Sequence, residues 1–322
     1  MRFVIFGAGA IGGVVGARLH QGGHEVALIA RGAHLQVIRR AGLTLETPTE
    51  RSTLRLPVGA DPTELEVGDG DVVLLATKSQ DTAGALEALR RAGATDPPIV
   101  CLQNGVDNER SALRMSDCVY GGLVMCPAAH LEPGVVQAYG TTSTGIIDVG
   151  RYPHGTDERC QAVVHALGGS RFSSRVRTDV MRSKYAKLLL NVGNAVEALC
   201  GEGERSEELI ELARAEARAA LTAAEIEFEA DDVDDIEGRW EEIGVQEIEG
   251  RQRAGSSSWQ SLARGTGAIE TDYLNGEIAL LGRLHGVPTP INIALCTVAS
   301  RYARQGGQPG ELSPSELQAV LA

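Results

Sequence analysis

Lys187, Asn191 and Asn194 stand at spacings of four and three within Ser183–Cys200, a stretch that is otherwise mostly apolar. At 3.6 residues per turn those spacings put an ammonium and two carboxamides on one helix face. A helix that is apolar nearly all round belongs in an interior, where such groups are costly unless something polar meets them. The structural reading has Lys187 snorkelling to water and the asparagines bonding a neighbouring loop. The chemical reading makes them a set that meets an anion or a developing oxyanion, with the ammonium able to give up a proton.

The elements ahead of this stretch supply a partner for it. Arg2–Phe6 reads as a strand, Gly7-Ala-Gly9-Ala-Ile-Gly12 as a tight turn into an amphipathic helix, and His24–Ala30 as a second strand. A G-x-G-x-x-G run between a strand and a helix is the context a dinucleotide fingerprint needs. Gly7 permits the turn, Gly9 lets backbone approach a pyrophosphate, and Gly12 lets helix and strand pack closely. Ala10 and Ile11 open the helix whose N-terminus faces the phosphates. The second strand ends in Ala30-Arg31, with no acid before Glu46. Arg31 therefore suits the 2′-phosphate of NADPH/NADP+, where an NAD site usually places Asp or Glu.

Two further strands, Asp71–Ala76 and Pro98–Leu102, run into the polar turns Thr77-Lys78-Ser79-Gln80 and Gln103-Asn104-Gly105. Ligands of open α/β sheets sit beyond the carboxyl ends of the strands, so Lys78 and Asn104 are expected at the cofactor, with Asn104 also facing the substrate. Strand-and-turn grammar continues through Val119–Val149. It stops near Ser170–Thr178, and the chain after that is almost wholly helical. Ser258 reads as an N-cap before Trp259-Gln-Ser-Leu-Ala. The acidic stretch Glu225–Glu249 reads as solvated helix surface anchored by Ile236, Trp240 and Ile243, and no metal is expected.

Composition narrows the partners. A chain of 322 residues is long enough for two domains with their own cores. A net charge of −13 argues against a nucleic-acid backbone or an anionic membrane as the main partner. The six cysteines form no C-x-x-C pair and no ligand spacing, as in a reduced protein, and no run of about 18 apolar residues occurs. A cytoplasmic location is the expectation.

In this order the pieces resemble the ketopantoate reductase (2-dehydropantoate 2-reductase) family. The resemblance rests on Gly7-x-Gly9-x-x-Gly12, Arg31, Thr-Lys78, Gln-Asn104-Gly, Lys187-Leu-Leu-x-Asn191, Ser257-Ser258-Trp-Gln and Glu270-x-Asp-Tyr-Leu-Asn275-Gly276. It implies an α/β N-terminal Rossmann-type dinucleotide-binding domain, taken as residues 1–172, followed by an all-α C-terminal substrate domain, 173–322. It implies NADPH-dependent reduction of 2-dehydropantoate to pantoate, a step of pantothenate and coenzyme A biosynthesis. Lys187 matches the family's catalytic lysine and Glu270 an active-site acid. Asn191 and Ser258 match residues that hold the substrate, with Asn194 a further candidate. Lys78 and Asn104 match residues of the cofactor and substrate cleft.

The chain departs from the family where Asn-x-x-x-Asn-Pro-Leu is usual. Its second asparagine, Asn194, comes one residue early, and Glu197 occupies part of the Pro-Leu region. Trp259 replaces a common Met. Reduction of a different branched or hydroxylated 2-keto acid is the alternative activity, and a catalytically silent NADP-binding sensor the alternative class. The implied partner is a small 2-keto acid, with a second copy in a homodimer the one protein partner entertained. The cofactor expectation has its own check. Arg31→Ala should weaken NADPH binding more than NADH binding in a fluorescence titration, and equal losses would remove Arg31 from the 2′-phosphate.

Overall fold

The structure is a computed structural model that describes residues 1–228, 230–253, 255–265 and 267–321. The chain forms two compact units, Met1–Lys184 with Asp234–Arg253, and Tyr185–Val233 with Ala254–Ala322.

The first unit begins with β1 (Arg2–Phe6), α1 (Ala10–Gln21), β2 (Glu25–Ile29), α2 (Gly32–Ala41), β3 (Leu43–Glu46), β4 (Arg51–Leu54) and β5 (Val58–Gly59). It continues through β6 (Val72–Leu75), α3 (Thr82–Arg91), β7 (Ile99–Cys101), α4 (Asn108–Leu113) and β8 (Val119–Met125). β9 (Ala128–Ala129), β10 (Val135–Ala138), β11 (Ile146–Arg151) and α5 (Glu158–Gly169) follow. The main sheet has the order β11-β8-β7-β6-β1-β2-β5, and its only antiparallel pair is β11 with β8. Strands buried on both faces must be apolar almost throughout, as Val72-Val-Leu-Leu75 and Ile99-Val-Cys101 are. The order turns back on itself between β1 and β6, which leaves a crevice at their carboxyl ends. A second sheet, β4-β3-β10-β9, joins segments about 90 residues apart through the parallel pairing of β3 with β10.

α6 (Val180–Asn191) passes from the first unit into the second, so the division falls at Lys184 and not at the expected 172/173. The second unit continues with α7 (Asn194–Cys200), α8 (Glu204–Ala223) and the start of α9 (Ala230–Glu241). After the chain has returned to the first unit it adds α10 (Ser257–Ala263), a 3-10 turn at Glu270–Tyr273, α11 (Asn275–His285), α12 (Pro290–Arg304) and α13 (Pro314–Leu321).

Two expectations need correction. Ser183–Cys200 is not one helix. The Val192 carbonyl accepts a hydrogen bond from Asn275 Nδ2 at 2.9 Å, and the Val196 N–H bonds Gly193 at 3.0 Å instead. Gly193 lies so close to α8 that a Cβ there would come 2.9 Å from Ile210 Cγ2. The helical stripe of Lys187 and Asn191 therefore ends at a turn, and Asn194 opens a separate helix. The second correction concerns Asp234–Arg253, which was expected in the helical domain. The Arg239 guanidinium meets the fully buried Asp148 at 2.5 and 3.2 Å, and Thr141 bonds the carbonyls of Ile243 and Gly244. Of the acidic stretch, Ile236 and Ile243 are buried, Trp240 is partly exposed beneath Arg253, and Glu229 lies outside the described residues. No described helix is long and apolar enough to cross a membrane, and no cluster of three metal-ligating side chains occurs among the described residues.

Two buried groups stand out in the first unit. Lys184, 4% exposed, donates to Glu109 Oε1 at 2.5 Å and to the Gln103 carbonyl at 3.0 Å, and Glu109 is fully buried. His34, in the first turn of α2, is 9% exposed with its ring 4.1 Å from that of His130, and burial pulls its imidazole from 6.5 to about 4. Lys184→Met should destabilise the protein by about 3–5 kcal/mol because it strands a buried carboxylate, whereas Lys184→Met with Glu109→Leu should recover most of that loss in urea unfolding. As pH falls from 6.5 towards 4 the unfolded chain takes a proton on His34 that the native state does not. Stability must therefore decline over that window. Unfolding curves of the protein and of His34→Gln at pH 7 and 5 should show a smaller decline in the variant.

Candidate active site

In the first unit the glycine-rich turn joins β1 to α1. Gly7 has φ +105°, and a Cβ there would lie 2.8 Å from the Thr77 backbone nitrogen, so the turn is open only to glycine. A Cβ on Gly12 would lie 2.1 Å from the Gly7 carbonyl oxygen. A Cβ on Gly9 would meet nothing within 4 Å, which is the cradle a pyrophosphate requires. α1 starts at Ala10 with no acidic residue in its first turn and no side-chain cap, so its first N–H groups are directed out of the helix. These residues fit a dinucleotide.

Arg31 caps the start of α2 in extended conformation, and its side chain is 82% exposed. It donates to Asp81 Oδ2 at 2.8 Å. Arg31 is thus ion-paired with a carboxylate from the turn after β6, and no acid stands at the end of β2 itself.

The turns carrying Lys78 and Asn104 are bound into one buried polar network. Asn108 Nδ2 donates to Ser79 Oγ at 3.1 Å and to the Asn104 carbonyl at 3.3 Å, while Thr82 Oγ1 donates to Asn108 Oδ1 at 2.7 Å. Gln103 Nε2 donates to Thr82 Oγ1, and the Gln103 carbonyl receives Lys184. Burial pushes the Glu109 carboxyl above its ordinary range while Lys184 opposes the shift. Gly105, at φ +79°, completes the turn. Lys78 and Asn104 are both half-buried at neighbouring strand ends.

In the second unit Lys187 is half-buried on α6 and Asn191 buried at its end. Two other segments reach the junction of α6 and α7. Asn275 Nδ2 bonds the Val192 carbonyl and Asn292 Oδ1, which ties the start of α11, just after the Glu270 turn, to that junction. Glu197 Oε1, on α7, accepts the Ser256 N–H at 2.9 Å and so fixes the start of α10. Ser256 is the N-cap, its Oγ accepting from Trp259 N, and Ser258 lies inside the helix. Three consecutive serines are equivalent as local caps; Glu197 decides among them by holding the backbone of Ser256. The Ser258 hydroxyl is left buried, 1% exposed, with no hydrogen-bond partner among the described residues. Glu270 is half-buried at the head of its 3-10 turn, and its charge partly offsets the fall in the pKa of Arg264 caused by burial.

Sequence reasoning missed His34, Glu109, Lys184 and Arg264. None of them stands in a motif, and the partners of His34, Glu109 and Lys184 lie 26 to 100 residues away. Asn275 was read only as part of a motif, and Glu197 only as a departure.

Comparison with known proteins agrees with this architecture. Residues 3–154 match the family described as ketopantoate reductase PanE/ApbA, and residues 179–303 match its C-terminal counterpart. The 2-dehydropantoate 2-reductase of Halobacterium salinarum is 30% identical over 321 residues, covering 95% of this chain and 100% of its own. The crystal structure of a PanE/ApbA family ketopantoate reductase from Ralstonia eutropha is 28% identical, with a TM-score of 0.79 over 95% of this chain and 99% of the other. D-mandelate dehydrogenase, solved with NADH and anilino(oxo)acetate, shares the fold at 24% identity and a TM-score of 0.80, over 95% of this chain and 99% of its own. With both parts of the family matched and the same two-part architecture folded, the chain belongs to the ketopantoate reductase family of oxidoreductases.

Proposed function

We propose that the chain reduces 2-dehydropantoate to pantoate with NADPH, with Lys187 as general acid. The observation that carries this reading is the Ser258 hydroxyl, buried and unpartnered on a helix whose start is fixed by Glu197. Among the described residues, buried hydroxyls without a partner also occur at Ser143, Ser170 and Ser206, and Ser258 is set apart from them by its place in Ser257-Ser258-Trp-Gln, the motif that matches the family's substrate-holding serine. Ketopantoate offers a carboxylate and a hydroxyl to such a group.

Bound NADPH supplies the hydride that is added to the C2 ketone carbon. As that bond forms, charge grows on the ketone oxygen. The Lys187 ammonium stabilises it and transfers a proton to it, giving the C2 hydroxyl. Asn191, Asn194 and Ser258 donate hydrogen bonds to the substrate without adding charge, and Asn104 is a further substrate and cofactor candidate. Glu270 orients Lys187 and favours its protonated form, opposing the effect of burial. Gly7, Gly9, Ala10, Ile11 and Gly12 hold the pyrophosphate, Lys78 lies at the cofactor, and Arg31 takes the 2′-phosphate with Asp81 steadying its guanidinium. The enzyme acts in the cytoplasm, and a homodimer is the assembly we propose.

A second reading, reduction of another branched 2-keto acid, has one observation in its favour. Glu197, in the region where the family pattern has Pro-Leu, ties α7 to the start of α10, two residues before Ser258. D-mandelate dehydrogenase, which shares the fold, was solved with NADH and anilino(oxo)acetate, a carbonyl next to a carboxylate, and this is in keeping with a different substrate on the same scaffold.

Lys187→Ala should lower turnover by about 10²- to 10⁴-fold with NADPH affinity retained, measured as absorbance loss at 340 nm beside a binding titration. Unchanged turnover would remove Lys187 as the acid. Ser258→Ala should raise the KM for the keto acid with little change in NADPH affinity; a KM left unmoved would take the substrate away from Ser258.

A further inference from the structure

His34 is placed to act on the cofactor loop. Its Nε2 lies 2.7 Å from the carbonyl oxygen of Ala8, the residue between Gly7 and Gly9. Its Nδ1 lies 2.8 Å from the backbone nitrogen of Gly134. A carbonyl can only accept and an amide N–H can only donate. The two contacts together select one state of the ring, neutral, with the proton on Nε2 and the lone pair on Nδ1.

Both ends of this relay are otherwise fixed. The N–H groups of Gly7 and Ala8 donate to the Ile29 carbonyl at 3.1 and 3.0 Å, so with His34 on its carbonyl the Ala8 residue has both backbone polar groups turned into the protein. Gly134, at φ +81°, accepts from the Thr44 N–H at 2.8 Å and packs so closely on α2 that a Cβ would come 2.2 Å from Val37 Cγ1. Ala8 turned inward leaves the amides that follow it, at the open face of Gly9 and the start of α1, as the donors available to an anion.

We propose that His34 is a positioning residue for the dinucleotide: by donating from Nε2 to the Ala8 carbonyl it sets the loop in the conformation that binds the pyrophosphate, and it does so only as the Nε2–H tautomer that the Gly134 N–H enforces. The proposal rests on the reading of Gly7–Gly12 as the dinucleotide cradle. Burial and the neighbouring His130 ring hold the His34 imidazole at about 4, so the required neutral form persists near neutral pH. The residue touches neither cofactor nor substrate in this role. Its effect therefore falls on cofactor affinity and leaves the chemical step alone.

The test is a titration of NADPH by nicotinamide fluorescence against the full-length protein, His34→Leu and His34→Gln. Leu removes both bonds and leaves the Ala8 carbonyl without its donor, which should weaken NADPH binding by about tenfold or more. Gln keeps one donor and one acceptor and should bind within a few-fold of the parent protein. With NADPH saturating, kcat and the KM for the keto acid should match the parent in both variants. A purely structural role would lower the melting temperature of His34→Leu while leaving its NADPH affinity unchanged, and that result overturns the proposal. If His34→Leu fails to fold, 15N spectra of the His34 ring in the parent protein decide: a neutral ring protonated on Nε2, together with near-parental affinity in His34→Gln, supports the role. A ring protonated on Nδ1 or on both nitrogens near neutral pH overturns it. If the parent protein binds neither NADPH nor NADH, the cradle reading itself fails and the role of His34 falls with it, whereas parental binding with an unaffected His34→Leu refutes His34 alone.

Discussion

A lysine ammonium buried away from water must be matched, and in this protein Lys184 is matched by a fully buried carboxylate and a main-chain carbonyl. Much of the organisation of the first unit follows from that constraint. Glu109 belongs to α4, the Gln103 carbonyl ends the extended run from β7, and Lys184 belongs to α6, so one ion pair holds a sheet end, a helix and the departing chain in register. Through Gln103, Thr82 and Asn108 the same network reaches Ser79 and the Asn104 carbonyl. The turns that carry Lys78 and Asn104 are thereby built as rigid structures, which a cofactor cleft needs. α6 leaves the unit from Lys184, and Lys187 follows it by three residues on the same helix.

What could be read in the sequence was what local physics dictates. Gly7 and Gly12 belong to one tight strand-to-helix turn, Gly7 at positive φ and Gly12 against the Gly7 carbonyl oxygen, and the apolar strands with their polar ends are set by burial. Interactions that close over long separations left no such trace. The break between Asn191 and Asn194 depends on Asn275 and Ile210, remote in sequence, so a stripe with good helical spacing was read straight through it. The return of Asp234–Arg253 depends on Arg239 finding Asp148, 91 residues away. The pairing of β3 with β10 is equally non-local.

The candidate site shows the same division. Residue types identified Arg31, Lys78, Asn104, Lys187, Asn191, Ser258 and Glu270 as candidates, but the groups that hold their surroundings came from the fold. Asp81 steadies Arg31, Asn108 the Asn104 turn, and Asn275 the junction at the end of Asn191. Glu197, at first only a departure from a pattern, fixes Ser256 as the cap and leaves Ser258 as the buried hydroxyl. Two asparagines that looked alike by spacing also part company, since Asn191 ends one helix and Asn194 begins the next.

The central claim is that this scaffold moves hydride from a nicotinamide to the C2 ketone of a 2-keto acid. Incubating the protein with 2-dehydropantoate and NADPH deuterated at both positions of nicotinamide C4, then locating deuterium in the product by mass spectrometry and NMR, tests it most directly. The account predicts pantoate carrying one deuterium at C2. Unlabelled product, or labelled NADPH that binds and is never consumed, would contradict it.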